Sequence, residues 1–502
     1  MTRRRAVLGI DLGTSGVKVL VVAVSEATRA NESLDRGSID RGNLDRGPLD
    51  GRVLGRGRAE YPVLVPSAGR AESDPGDWWR STGRAVRQAL AQSADAEIVG
   101  LAVAGQMHGV VLARARTPAA PADHAAAPAD HAAAPADHAA DHGGAVRPAI
   151  LWLDQRAALE AGRYQELPAA LTAGLGNRPS PGMAGPVLCW LARHEPENVA
   201  AARWALQPKD WIRLRMTGEA ATDPTDASGT LLFDLERDAW ADDLIAALGL
   251  PREKLPPVRG SAQPAGTLLP GPAAELGLPP GIAVAAGAAD TAAALHAAGL
   301  AADEAMLTLG SGGQWAVPES AFRPTPRTNL YRAVGDGYYR LAPVQNVGIT
   351  LNWVRTLLNA SWSDLYDAAG RPARPGAPVF APYLAPERWD PGATGAWTGL
   401  TLAHQREDLL RSALDGVAGL LRERLDDLRA AGHHPRRVIL GGGGATHPAW
   451  RDLLADALGV PLGPVPAPWL SAAGAAGLAA RIVSDRLAPH NLTVPDIGVI
   501  TS

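Results

Sequence analysis

The chain has 502 residues, of which 46% are hydrophobic and 20% charged, as in globular rather than disordered or fibrous proteins. At roughly 100–200 residues per domain, this length predicts two or three domains. The formal net charge of −4 argues against a surface for nucleic acid or anionic membranes. The single cysteine, Cys189, excludes an internal disulfide and a multi-cysteine zinc site. Because it also suits a reducing compartment, we expect a cytoplasmic protein.

The apolar runs are too short for a targeting segment or a membrane span. The first run, residues 6–10, is interrupted by Asp11, whereas a signal peptide needs about 7–15 apolar residues. No run reaches the ~18 apolar residues of a transmembrane helix. We therefore expect neither a signal peptide nor a membrane anchor.

Two low-complexity inserts interrupt the chain. In the first, at about residues 31–52, glycine recurs at every fifth position, and in the second, at about 117–145, a Pro-Ala-Asp-His unit repeats every seven residues. Regular glycine or proline disfavours a helix. Strand-like segments flank both inserts: 17–24, 53–65, 98–112 and 148–152. We expect both inserts to be surface loops at hairpin turns.

The rest of the chain mixes strand and helix patterns in two halves. Apolar residues keep helical spacing at 78–91, 186–194, 208–217, 240–248 and 409–428. Short strands are predicted in the second half at 283–286, 305–309 and 438–440. Prolines and glycines concentrate at 251–281, which we interpret as an interdomain region. The pattern predicts an α/β fold with two domains, 1–257 and 258–502.

The most informative motif, residues 8–18, is a strand that ends in an acid, followed by a glycine- and hydroxyl-rich turn and a second strand. Gly13 and Gly16 permit backbone amides to approach a phosphate. Asp11 is a suitable oxygen ligand for Mg²⁺, and Lys18 adds a positive charge. A tight hairpin with incidental polar residues is the alternative interpretation.

Two more glycine-rich turns follow strands in the second half, at Ser311–Gly313 and Gly441–Gly444. Each alone is a weak signal, because such turns usually only connect elements. Together with the first motif they fit a nucleotide bound between two domains. The chain lacks a Gly-x-x-x-x-Gly-Lys-Ser/Thr sequence, so it is not a P-loop enzyme.

Asp290 follows a predicted strand among small apolar residues and is a candidate general base for a hydroxyl group. The alternative is a helix N-cap, a position that Asp favours. After another strand, Gln106, Met107 and His108 would line a polyol pocket, although a lone histidine is more often structural.

Trp152 and Asp154 offer a further apolar wall and a hydrogen-bonding group for a polyol. Asp154 lies two residues before Arg156. A structural ion pair between these two side chains is therefore the alternative to a contact with the substrate.

Taken together, these segments resemble the FGGY carbohydrate kinases, and within that family the xylulokinase branch. Residues 9–18 are similar to its first phosphate motif, and residues 104–109 to its sugar-binding segment. Further matching segments are 147–156, 208–219 and 395–415. The resemblance covers residues 6–482 apart from the two inserts.

The resemblance implies two actin-like, ribonuclease-H-like ATPase domains that close over ATP, Mg²⁺ and a sugar in an interdomain cleft. The expected reaction converts D-xylulose to D-xylulose 5-phosphate. The expected partners are then the small molecules sugar and ATP, with no nucleic acid and no membrane. A homodimer is a further expectation, because relatives are often dimers.

The residue roles follow from the matched motifs. Asp290 matches the catalytic base and Asp11 the magnesium-associated carboxylate. The expected substrate-binding residues are Gln106, Met107, His108, Trp152, Asp154, Asp290 and Thr291. The expected nucleotide-binding residues are Gly13, Thr14, Ser15, Lys18, Ser311, Gly312, Gly313, Gly442, Gly443 and Gly444.

The sequence also departs from the family pattern near the base. Thr291 stands where the branch usually has Asn, and Ala288 and Ala289 stand where glycines are usual. Val187 and Thr446 also differ from the usual residues. Two alternatives therefore stay open: a kinase for another ketose or polyol, and a sugar-binding regulator that has lost efficient catalysis.

Overall fold

The computed structural model describes residues 4–24, 49–115, 144–372, 374–387, 390, 392–463 and 469–484. The chain divides into two compact units. The first extends to Ala293, apart from Gly176–Arg178, and takes in the helix that begins near Ser471. The second consists of Gly176–Arg178 and Ala294–Leu470. The predicted domain boundary after residue 257 lies N-terminal to the division after Ala293, and it stays a prediction.

The first unit is built on a mixed sheet. The strands of the whole unit, inside and outside this sheet, are β1 Arg4–Leu12, β2 Gly16–Val24, β3 Leu49–Glu60, β4 Glu72–Ser73, β5 Ala96–Gly105, β6 Val111–Ala113, β7 Ala149–Ile150, β8 Trp204–Leu206, β9 Phe233–Asp234, β10 Ala239–Trp240, β11 Pro264–Thr267, β12 Ala283–Ala285 and β13 Ala288–Ala289. The large sheet has the order β11-β12-β5-β1-β2-β3, and β13 also pairs with β5. Strands β1, β12 and β13 run parallel to β5, whereas β2 runs antiparallel to β1.

The helices of the first unit lie between and after these strands along the chain. They are α1 Pro75–Ala91, α2 Ala158–Arg163, α3 Ala169–Thr172, α4 Ala184–His194, α5 Pro196–Ala201, α6 Pro208–Thr217, α7 Pro224–Ala227, α8 Asp242–Ala247, α9 Pro270–Leu276 and the start of α10 Asp290–Ala298. Single 3₁₀ turns lie at Ala173–Leu175 and Arg252–Lys254. Apolar residues of β1 and α1, such as Leu8, Ile10 and Trp78, form its buried core.

The second unit contains an antiparallel sheet extended by one parallel strand. Its strands are β14 Glu304–Leu309, β15 Gly313–Glu319, β16 Asn329–Arg332, β17 Tyr338–Val344, β18 Val379–Ala381, β19 Ala396–Thr398 and β20 Arg437–Gly441. Its helices are α11 Gly348–Leu357, α12 Trp362–Ala369, α13 Arg406–Ala430 and α14 Pro448–Leu458, with a 3₁₀ turn at Gly443–Ala445. The main sheet has the order β16-β17-β15-β14-β20.

The last described helix, α15 Leu470–Ser484, packs against β1 of the first unit at very short range. A Cβ added to Gly9 would lie 2.0 Å from the carbonyl oxygen of Ala472. The helix is rich in alanine and glycine, and these small residues permit the close approach. The small residues of α15 therefore permit its close packing against β1.

The predicted α/β pattern is confirmed, and one interpretation is wrong. Helix α6 has the predicted bounds. Both inserts interrupt antiparallel pairs: β2 pairs with β3, and Ala113 bridges Ala145. The inserts themselves lie largely outside the described residues. The predicted interdomain region at 251–281 instead contributes β11 to the sheet of the first unit, so it does not separate the units.

No helix in the described part of the chain is both long enough and apolar enough to cross a membrane.

Candidate active site

Three parallel strands of the first unit end side by side and carry the predicted polar residues. In the sheet register, β1 places Asp11 opposite Ala104 of β5, and β13 places Ala289 opposite Gly105. Asp11 therefore lies near the end of β1, and Asp290 directly follows β13. Gln106 directly follows β5, the strand with which both of these strands pair. The carboxyl ends of parallel strands are where α/β sheets bind ligands. The fold therefore gathers these predicted site residues at one edge.

Asp11 is a buried carboxylate with one nearby cation. It is 6% exposed and is paired in register with Lys18 of β2. The Lys18 Nζ lies 3.7 Å from Asp11 Oδ2. Burial raises the pKa of Asp11, and the charge and hydrogen bond of Lys18 partly offset this. An additional cation beside Asp11 would stabilise its ionised form.

Asp290 begins α10 and is half-buried. Burial raises its pKa to about 7, and the negative charge of Asp11 contributes to the rise. The backbone N–H and the hydroxyl of Thr291 both donate to Asp290 Oδ1, at 2.6 and 3.2 Å, and they lower the pKa. A carboxyl with a pKa near neutrality is suited to accept a proton from a hydroxyl group.

The turn between β1 and β2 is closed by its own backbone and by two aromatic side chains. The Gly13 N–H donates to the Gly16 carbonyl at 3.0 Å. The Tyr61 hydroxyl donates to the Gly13 carbonyl, and Trp152 Nε1 donates to Thr14 Oγ1 at 3.1 Å. These contacts fix the conformation of the turn. Ser15, the last residue of the turn before β2, is exposed.

Tyr61 is a site residue that the sequence did not indicate. It follows β3, and its backbone N–H also donates to the Ser15 carbonyl at 3.2 Å. Burial and the charge of Asp11 raise the pKa of Tyr61, so its hydroxyl stays protonated. The one available signal was an aromatic residue at the end of the strand that follows the first insert.

The segment after β5 has an unusual backbone. His108 has a φ of +71°, a left-handed conformation that non-glycine residues rarely adopt. Its Nδ1 lies 2.7 Å from the Gly229 carbonyl oxygen. Because a carbonyl can only accept, Nδ1 carries the proton of this hydrogen bond. Such strain is typical of binding sites, where it holds a side chain in a fixed orientation.

Gln106 is 1% exposed, and both its side-chain oxygen and nitrogen lack a hydrogen-bond partner among the described residues. Buried polar atoms are almost always paired with protein or water. The side chain of Gln106 is therefore hydrogen-bonded either by water or by a ligand.

The side chains of Met107 and His108 both lie close to Gly229. A Cβ added to Gly229 would be 3.0 Å from Met107 Cε and 3.1 Å from His108 Nδ1.

Asp154 forms the ion pair that the sequence left open as an alternative. Its two oxygens accept hydrogen bonds from the Arg156 side chain at 2.8 Å, and Oδ2 also accepts from the Ala71 N–H at 2.7 Å. Arg156 in turn bonds Glu72 at 2.6 Å. Asp154 is fully buried. This network anchors the turn that carries Trp152, and a sugar contact for Asp154 stays a prediction.

The two glycine turns of the second unit follow adjacent parallel strands. Thr308 of β14 pairs with Gly441 of β20, so the turns Ser311–Gly313 and Gly442–Gly444 follow the same edge of the sheet. Gly442 has a φ of +83°, and a Cβ there would lie 2.2 Å from the Leu309 carbonyl oxygen. Only glycine fits at this position, and its backbone thus contacts the end of β14.

Comparisons with known proteins define the class. The N-terminal domain model of the FGGY family of carbohydrate kinases matches residues 48–122 and 128–297, and its C-terminal domain model matches 306–483. The chain belongs to the FGGY family of carbohydrate kinases and is a sugar kinase.

Relatives within the family are xylulose kinases. The chain is 32% identical to the xylulose kinase of Escherichia coli over 461 residues, which are 90% of this chain and 84% of that protein. It is 28% identical to the Bacillus subtilis xylulose kinase over 463 residues, 90% of this chain and 83% of that protein.

Solved structures have the same fold. The xylulose kinase of Rhodospirillum rubrum has a TM-score of 0.76 and 26% identity, with 96% of this chain and 91% of that chain covered. The glycerol kinase of Plasmodium falciparum, at 17% identity, shows the fold alone, with a TM-score of 0.76 over 96% of this chain and 90% of that chain. These neighbours confirm the predicted actin-like, ribonuclease-H-like α/β fold.

Proposed function

We propose that this chain transfers the γ-phosphoryl group of ATP to a hydroxyl group of D-xylulose and forms D-xylulose 5-phosphate. Xylulose kinases at 25–32% identity over most of the chain support this substrate. The observation that carries the proposal is that Asp11 lies near the end of β1 and Asp290 directly follows β13, while both strands pair with β5, the strand that leads into Gln106–His108.

In this proposal Asp290 is the general base. Its Oδ1 already accepts two hydrogen bonds from Thr291, so we assign the sugar proton to Oδ2. As the proton leaves, the hydroxyl oxygen attacks the γ-phosphorus, the bond to the β-phosphate bridging oxygen breaks, and ADP departs. Most of the rate enhancement comes from holding these atoms in line and from stabilising the charge that develops.

Asp11 fits a role in holding Mg²⁺. It is a buried carboxylate at a strand end, its pKa is raised, and Lys18 is 3.7 Å away. A hard divalent cation favours such an oxygen ligand and is usually held by one or two carboxylates together with substrate phosphates. When bound, magnesium neutralises charge on the transferring phosphoryl group.

We assign the remaining contacts by the elements that carry them. Gly13, Thr14 and Ser15 lie on the turn between β1 and β2. Thr14 and Ser15 would contact ATP phosphates through backbone N–H groups, with Lys18 adding charge, whereas the Gly13 N–H bonds the Gly16 carbonyl and shapes the turn. Gln106, Met107, His108 and Trp152 would contact the sugar. The turns Ser311–Gly313 and Gly442–Gly444 would contact the nucleotide. A homodimer and a cytoplasmic location stay predictions.

A second candidate function is a kinase for another ketose or a polyol. Thr291 favours it, because this residue is 6% exposed and its hydroxyl bonds the base. Threonine has no side-chain amide, so a contact that an asparagine would make with the sugar is absent. A change of acceptor therefore requires no change in the base or in the phosphate turns.

The experiment measures sugar-dependent ADP release with ATP and Mg²⁺ across D-xylulose, D-ribulose, L-ribulose, D-fructose, glycerol and D-arabitol. The proposal expects the highest kcat/KM with D-xylulose. A clearly higher kcat/KM with another acceptor would support the second candidate. Tight sugar binding without ADP release above the no-sugar background would instead indicate a sugar-binding regulator.

A further inference from the structure

A buried group of charged side chains lies outside the residues assigned so far. It consists of Lys209, Asp210, Arg213, Asp223 and Asp226 and is called the Lys209 cluster below. The Lys209 Nζ lies 2.6 Å from Asp210 Oδ1, 3.0 Å from Asp223 Oδ1 and 3.1 Å from Asp226 Oδ2. Arg213 Nη1 adds a contact of 2.9 Å to Asp210 Oδ1. None of these side chains is more than 1% exposed.

The Lys209 cluster lies against the strands that lead into the candidate site. A Cβ added to Gly105, the last residue of β5, would lie 2.9 Å from Lys209 Cβ. A Cβ added to Gly287, between β12 and β13, would lie 3.5 Å from Lys209 Cδ. The aliphatic stem of Lys209 thus packs against the end of β5 and the turn before β13.

Hydrogen bonds connect the cluster to the backbone just before Asp290. Arg213 Nη1 donates to the Ala286 carbonyl at 2.8 Å. The Ala289 N–H donates to Thr225 Oγ1 at 2.8 Å, and that hydroxyl donates to Asp223 Oδ2 at 2.7 Å. Ser261 Oγ also donates to Asp223 Oδ2, at 2.6 Å. The Gly287 N–H donates to the Ser261 carbonyl at 3.0 Å.

The strand held in this way is short. β13 has two residues, Ala288 and Ala289, and their small side chains offer little packing. A buried ion cluster contributes little net stability compared with well-packed apolar residues, because desolvation offsets the attraction. Its directional bonds do, however, fix where the backbone lies. The charges therefore fit a role in placing the residue that follows, Asp290.

We infer that Thr225 is a positioning residue for Asp290. Its hydroxyl transmits the placement of Asp223 and Lys209 to the Ala289 amide, and so to the neighbouring carboxylate. This inference rests on the proposed base role of Asp290. It differs from that proposal because neither Thr225 nor the Lys209 cluster is assigned a contact with the sugar or the nucleotide.

The test replaces Thr225 with Val, which keeps the shape and removes the hydroxyl, and with Ser, which keeps the hydroxyl. Since a misplacement of about 1 Å can cost ~100-fold in rate, we expect Thr225→Val to lower kcat by about 10- to 100-fold. We expect KM for the sugar and for ATP to change by less than about threefold. Thr225→Ser should keep kcat within about threefold of the wild-type value.

Thr230→Val is the matched control. Thr230 is a buried threonine whose hydroxyl accepts from the Leu232 N–H at 3.1 Å and donates to the Ala227 carbonyl at 2.6 Å, outside this network. We expect kcat near the wild-type value in this variant. A wild-type kcat in Thr225→Val, or equal losses in Thr225→Ser and Thr225→Val, would overturn the inference.

Hydrogen exchange of residues 286–290 supplies a readout independent of activity. Thr225→Val should exchange faster there, whereas Thr225→Ser and Thr230→Val should not, and unchanged exchange in Thr225→Val would contradict the inference. Ser261→Ala should accelerate exchange in the same segment even if Thr225→Val fails to fold. If Asp290→Asn retains turnover, the proposed base is wrong, while faster exchange in Thr225→Val would still show that Thr225 positions this segment.

Discussion

Asp11 and Asp290 lie at the ends of two strands that border the same central strand, and the charge of Asp11 raises the pKa of Asp290. Two carboxylates so placed are difficult to ionise together without a cation. This relationship links the phosphate turn to the candidate base, because the residue proposed to hold Mg²⁺ adds to the rise that burial causes in the pKa of the base.

The first prediction concerns pH. Asp290 accepts a proton only when ionised, and its pKa is raised to about 7. We therefore expect kcat/KM for the sugar to fall as the pH decreases below about 7, and Mg²⁺ beside Asp11 would move this fall to lower pH because it offsets the repulsion between the two carboxylates. A pH profile measured with a saturating concentration of ATP and Mg²⁺ checks this. Activity that stays level down to pH 5 would exclude Asp290 as a base with this pKa.

The second prediction concerns the effect of the Thr291 hydroxyl on the pH dependence of kcat/KM. The Thr291 hydroxyl donates to Asp290 Oδ1 and lowers its pKa. Thr291→Val removes this bond and should shift the acidic limb of the kcat/KM profile to higher pH. Thr291→Ser keeps the hydroxyl and should restore the wild-type profile. If the two variants have the same limb, the hydroxyl does not set the pKa of the base.

The third prediction concerns the strained backbone at His108. A left-handed conformation costs a non-glycine residue ~1 kcal/mol, whereas glycine adopts it readily. His108→Gly should therefore unfold with a free energy about 1 kcal/mol higher than His108→Ala, while both lose kcat/KM for the sugar. Chemical denaturation and kinetics measure the two effects separately. Equal stability of the two variants would contradict the observed φ of +71°.

The fourth prediction concerns α15. A Cβ on Gly9 would overlap the Ala472 carbonyl oxygen, so we expect Gly9→Ala to destabilise the protein by about 1–3 kcal/mol. Gly419 is the control, because it is exposed in α13 and a Cβ there meets no atom within 4 Å. Gly419→Ala should stabilise by ~0.5–1 kcal/mol, since alanine favours a helix. Thermal unfolding that ranks the two variants in the opposite order would refute this packing.

The sequence was sufficient where the signal is local. Helix α6 begins at a proline and keeps apolar spacing to Thr217, and its predicted bounds match the structure. The turn after Asp11 and the strand β12 were predicted for the same reason, since a few consecutive residues determine them, whereas the two-residue β13 directly before Asp290 was not predicted. Their closeness in space required the register of β5, which follows from strand pairing over long distances.

The parts that sequence reasoning missed depend on distant partners. The prolines and glycines at 251–281 resemble a linker, yet β11 pairs with β12 inside the first unit. Tyr61 meets Gly13 across 48 residues of chain, and Thr225 meets Ala289 across 64. The contact between Asp154 and the Ala71 backbone is also not visible in the sequence, and a sugar contact for Asp154 stays a prediction.

The role of Asp290 as the base is tested most directly by ADP release with ATP, Mg²⁺ and D-xylulose, measured for the wild-type chain and for Asp290→Asn. Asparagine keeps the size of the side chain but cannot accept the hydroxyl proton. We expect sugar-dependent release in the wild type and a loss of at least ~100-fold in the variant, with ATP binding retained. Sugar-dependent release at the wild-type rate in Asp290→Asn would contradict the assignment of Asp290 as the base.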